Sequence, residues 1–154
     1  MDFEKNYGKR AEGLFREGYN CAQAVFIAFA EDKMDTDEAA KLASAFGGGL
    51  AGMRHVCGAV SGAALAYGML RGYCDPAART DKKAEYEAVS EIAGEFEKQN
   101  GSIICRELLG LDKDVKYVSP SDRSSEYYKK RPCPELCAVA ADILADYLKE
   151  HPLA

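Results

Sequence analysis

The stretch GGGLAGMRHVCGAVSGAALAYG, Gly47–Gly68, puts a glycine run before Cys57 and a run of small apolar residues after it. The second half has the composition of a helix that lets a neighbour come close. Gly58 and Gly62 lie four apart on one helical face, and Gly68 and Gly72 repeat that spacing. The first half predicts a turn, because consecutive glycines end a helix. A phosphate cradle is a poor match, since no GK[ST] follows the glycines and no strand precedes them. The stretch therefore reads as turn, cysteine, helix, and it sets the pattern for the rest of the chain.

Working outward, helix follows helix, and no segment alternates with a period of two. Phe3, Tyr7, Ala11, Leu14 and Phe15 recur at helical spacing up to Gly18. Asn20 is an N-cap for a helix over Cys21–Ala30. Asp35 with Glu38 reads as a capping box for a third helix, which stops near Gly47. A fourth is expected over Gly58–Arg71. Asp75-Pro76 predicts the start of a fifth and longest helix, with Ala84, Ala88, Ile92 and Phe96 inward and Asn100-Gly101 at its end. Ser102 is the expected cap of a short sixth helix closed by Gly110. Residues 111–131 read as a long surface loop, of a length that suggests a lid or a partner contact, with a disordered segment as the alternative. Cys133-Pro134 opens the last helix, with Leu136, Ala140, Ile143, Leu144 and Tyr147 on one face. The fold class expected is all-α: one domain spanning 1–154, a bundle of six or seven helices.

The chain has 154 residues, 47% of them apolar, enough for a real core, and a net charge of −5. Its cations are interspersed with acids, so nucleic acid is not an expected partner. No apolar run approaches the length of a membrane span, and the start of the chain lacks a secretory pattern. The expected compartment is the cytosol, where the six cysteines are not expected to form permanent disulfides.

Cys21, Cys57, Cys105 and Cys133 all fall at predicted helix N-termini, where the helix dipole and open N–H groups favour thiolate. Cys74 lies beyond a helix end and Cys137 inside the last helix. Thiolates gathered in space would form either a four-sulfur metal site or redox pairs. Glycines ahead of Cys57 would let backbone N–H groups reach such sulfurs. No C-x-x-C and no compact ferredoxin spacing occurs. His55, Arg54 and Arg106 are candidate cations beside a thiolate, with Arg54 read as solvated. Tyr86, Tyr127 and Tyr128 read as half-buried surface aromatics.

The strings GYNCAQAV, CGAVSG, GSIICRELLG and CPELCAVAADIL, in that order from Gly18 to Leu144, resemble the C_GCAxxG_C_C family of redox-active proteins. The resemblance implies a function in redox chemistry and singles out Cys21, Cys57, Cys105 and Cys133. Gly58, Ala59 and Gly62 match the rest of its CGAxxG motif and are the implied cofactor-contacting residues. Cys74 and Cys137 fall outside the pattern. Related cysteine-bearing domains in multi-cofactor electron-transfer proteins favour iron–sulfur over zinc.

Three readings follow. In the first, the four cysteines ligate an iron–sulfur cluster, [2Fe–2S] for preference, and exchange electrons with a redox partner protein. In the second, no metal is bound and Cys57 and Cys21 carry out thiol–disulfide exchange. In the third, the chain is a partner-binding helical domain, with zinc or without. The glycine-spaced helix leaves a homo-oligomer open.

Overall fold

The computed structural model describes residues 1–111, 123 and 132–153. Among them the fold is all-α, with seven α-helices: α1 (Tyr7–Arg16), α2 (Cys21–Ala30), α3 (Thr36–Ala43), α4 (Gly58–Arg71), α5 (Arg79–Asn100), α6 (Cys105–Leu108) and α7 (Cys133–Glu150). A single 3₁₀ turn, Ser44–Phe46, extends α3. No described helix is long and apolar enough to cross a membrane.

The centre of the bundle is α2. Its sequence, CAQAVFIAFA, is apolar on every side, and eight of its ten residues are buried. A helix without a polar face has to be covered all round. Accordingly α1, α3, α4 and α7 all pack against it, while α1 also lies along α7. Tyr7 of α1 stacks on Phe29 of α2 with ring centroids 4.2 Å apart.

The start of α2 is fixed by a reciprocal capping box. The Asn20 side chain accepts from the Gln23 N–H, and the Gln23 side chain accepts from the Asn20 N–H. At α3 the Asp35 carboxylate alone does the capping, accepting from the Asp37 and Glu38 N–H groups.

Several boundaries differ from expectation. Phe3 precedes α1, which starts after the Asn6 cap, and is exposed. Asp75 and Pro76 do not open α5. The Asp75 carboxylate accepts from the Ala77 N–H and its carbonyl from the Ala78 N–H. That local turn satisfies the backbone before a helix can begin, so α5 starts at Arg79. Its first turns stand clear of the core: Ala84 and Tyr86 are exposed, whereas Ala88, Ile92 and Phe96 are buried. Ser102 lies ahead of α6, and its hydroxyl accepts from the Ile104 N–H and donates to Glu107. The α6 N-cap is Ile104, which leaves Cys105 as its first residue. Pro132 caps α7, and Cys133 is its first residue. The expected surface loop over 111–131 lies outside the described residues except at Leu111 and Arg123, and so do Tyr127 and Tyr128.

Candidate functional site

Cys57 is the N-cap of α4, and the packing of α4 on α2 brings it beside Cys21. A Cβ on Gly58 would stand 3.1 Å from the Cys21 Cβ, and one on Gly62 would stand 2.6 Å from the Ala22 carbonyl oxygen. Both glycines are therefore spacers that let two backbones touch. Cys133 arrives from a third direction, at the start of α7, with its thiol beside that of Cys21 in the same cavity. Helices α2, α4 and α7 thus converge with their N-termini, each carrying a cysteine.

Cys105 is delivered differently. Between the 3₁₀ turn and Cys57 the chain winds left-handed. Positive φ values run through Gly48, Gly49, Leu50, Ala51 and Gly52 and return at Arg54. Glycine bears this without cost, but Leu50, Ala51 and Arg54 are strained there. The loop is pinned to the segment before α6 by an antiparallel bridge between Val56 and Ile104. The Cys57 N–H donates to the Ile103 carbonyl at 2.7 Å, and the Cys105 N–H to the His55 carbonyl at 2.6 Å. These bonds set Cys105 against the glycines. A Cβ on Gly49 would lie 2.6 Å from the Cys105 Cβ.

The four cysteines, far apart in sequence, line one cavity of about 450 Å³, together with Arg54 and Arg123. Cys57, Cys105 and Cys133 are buried, and Cys21 keeps part of its surface open. All six cysteines of the chain are thiols. Among the described residues, no three His, Cys, Asp or Glu side chains draw together as a site for one metal ion.

The helix N-termini do not lower the Cys21 and Cys57 thiols. Burial pushes the Cys57 thiol up to about 12, even though the Ala59 and Val60 N–H groups donate to its sulfur. The hydrogen bond with Cys133 draws the Cys21 thiol down, but the one with Cys137 and burial prevail and hold it well above the ordinary range. At Cys57 desolvation thus outweighs the N–H donors of the helix start, contrary to expectation.

The motif glycines divide. Gly58 lines the cavity, Ala59 meets the Cys57 sulfur through its N–H, and Gly62 faces α2. Cys74 is exposed and away from the cavity. Cys137, one turn into α7, is fully buried and its thiol donates to the Cys21 carbonyl at 3.9 Å, so it stands directly behind the site. His55 is exposed. Arg54, read from the sequence as solvated, is 8% exposed, and its Nη1 lies 3.6 Å from the Cys105 sulfur. Arg123 escaped the sequence reading altogether. It donates to the Phe15 and Tyr19 carbonyls and lies over the Phe15 ring, closing the cavity beside α1. Nothing in its neighbourhood in sequence signals that contact.

Fold and site define a cysteine-rich all-α protein organised around a thiol-lined cavity. The chain belongs to the family described as "Putative redox-active protein (C_GCAxxG_C_C)", whose model matches residues 19–147. Comparison with curated proteins and with solved structures gives no match.

Proposed function

We propose that the protein is an electron carrier that holds an iron–sulfur cluster, [2Fe–2S] for preference, on Cys21, Cys57, Cys105 and Cys133. The observation that carries this reading is their meeting around one cavity, although three of them start helices distant in sequence. The donor set is all sulfur, which suits iron–sulfur chemistry. A lone zinc ion needs four sulfurs at about 2.3 Å from one point. The four cysteines line a cavity of about 450 Å³, which has room for a larger, polynuclear occupant. When bound, such a cluster supplies one-electron chemistry. The chain supplies N–H donors to the Cys57 sulfur from Ala59 and Val60, and buries the site beneath α2, α4 and α7. The redox partner is a protein that can bring a one-electron centre near the cavity mouth.

The test is a set of single serine substitutions purified without oxygen. Cys21→Ser, Cys57→Ser, Cys105→Ser and Cys133→Ser are each expected to lose most of the bound iron and sulfide, and Cys74→Ser to keep it. Full metal content in all four variants would overturn the proposal.

A second reading is favoured by the neighbouring Cys21 and Cys133 thiols at the mouths of α2 and α7. Two thiols in contact can transfer two electrons and two protons to a substrate disulfide, closing into a disulfide themselves. This reading moves the reactive pair from Cys57 and Cys21 to Cys21 and Cys133, because those two thiols are neighbours. Reversible formation of a Cys21–Cys133 bond in metal-free protein, with turnover of a disulfide substrate, would support it.

A further inference from the structure

We propose that Arg54 is a positioning residue that raises the reduction potential of the cysteine site by acting as its buried counter-charge. The inference rests on the electron-carrier reading above.

Arg54 is a buried charge with no carboxylate among the described residues. An arginine keeps its proton throughout the accessible pH range. Arg54 is 8% exposed, its Nε has no hydrogen-bond partner, and no Asp or Glu pairs with it among the described residues. A buried cation is costly unless something negative faces it. Arg54 lines the cysteine cavity, and the hydrogen bond of its guanidinium goes to the Cys105 sulfur at 3.6 Å. The balancing charge therefore belongs in the cavity.

The backbone supports the same conclusion. Arg54 itself has φ +61°, in the left-handed region. It is held there by its N–H, which donates to the Gly48 carbonyl at 3.0 Å, and by its carbonyl, which accepts from the Arg106 N–H at 3.2 Å. Strain of this kind persists where the surroundings over-determine it, often at functional sites. Gly47, Gly48 and Gly49 line the same wall, and their N–H groups have no backbone acceptor among the described residues. A cation and a row of open amides on one side of a cavity make an electropositive wall.

Four thiolates, two sulfides and two ferric ions carry a net charge of about −2. Adding one electron converts one ferric ion to ferrous and takes the charge one unit lower, with no bond made or broken. A fixed cation nearby stabilises the more negative state more strongly. Arg54 therefore favours the reduced form.

The experiment is an anaerobic redox titration with dithionite as the one-electron donor, followed by visible absorption at fixed pH, on the full chain. Arg54→Met, which keeps length and removes charge, is expected to shift the midpoint to more negative potential. Arg54→Lys, which keeps the charge, is expected to restore most of the shift. Arg54→Gln removes the charge but keeps a polar group, and it gives the same reading should the methionine variant fail to fold. Bound iron and sulfide with an unchanged midpoint in both neutral variants would overturn the role of Arg54. Absence of iron and sulfide from the wild-type protein would instead overturn the reading on which it rests.

Discussion

Cys21, Cys57 and Cys133 reach the cavity from α2, α4 and α7, long helices that bury one another. Cys105 reaches it from a four-residue helix held by a left-handed loop. The first three positions are set by side-chain packing: an apolar α2, two glycine spacers on α4 and the apolar face of α7. The fourth is set by backbone hydrogen bonds between Arg54–Cys57 and Ile103–Arg106, with strain at Leu50, Ala51 and Arg54. Packing tolerates small losses by relaxing. A strained loop pinned by a few bonds has less to relax into. The helical side should therefore fail through stability, and the loop side through the site.

The largest effect is expected in the helical core. Leu144 of α7 is fully buried, and Leu144→Ala should cost about 2–5 kcal/mol, read by denaturant unfolding. Gly62→Ala puts a Cβ 2.6 Å from the Ala22 carbonyl oxygen and should cost about 1–3 kcal/mol by prising α4 from α2. Gly49→Ala sharpens the contrast. Its Cβ would press on the Cys105 Cβ and on the His55 nitrogen at 2.7 Å, at φ +68°. The expected outcome is a larger loss of bound iron than Gly62→Ala causes, with a smaller loss of stability. A Gly49→Ala protein with full iron content would break the comparison.

The smallest effect lies away from the cavity. Glu31 pairs with Arg10 and Lys5 at 2.9 and 2.8 Å. Arg10 first, then Lys5, hold its carboxyl below the usual value of 4.5 in spite of partial burial. A depressed carboxylate stabilises the fold fully above its unfolded value, and that stability is lost as pH falls through the folded value. Glu31→Gln should cost less than about 1 kcal/mol at neutral pH. The difference from wild type should shrink as pH drops below about 4.5, measured by thermal unfolding across pH.

The sequence made the helical side legible. Asn20, Gly58 and the apolar faces of α2 and α7 carry local signals, so Cys21 and Cys57 fall where expected. Asp75-Pro76 misled because an Asx turn and a helix start share the same residues. The loop was legible only as a turn. Leucine, alanine and arginine disfavour left-handed backbone, so its path follows from the Val56–Ile104 bridge, a tertiary contact no local pattern encodes. The burial of Arg54 follows from that path and was hidden with it. The Cys57 thiol departs from expectation for a related reason: a helix start is visible in sequence, while the depth of burial that raises the thiol is not.

The central claim is tested most directly by the iron and acid-labile sulfide content of wild-type protein purified without oxygen, with its visible spectrum. Iron and sulfide in equal amounts and a coloured band bleached by dithionite are expected. Metal-free, colourless protein whose thiols oxidise reversibly in pairs would contradict it and leave Cys21 and Cys133 as the pair to mutate first.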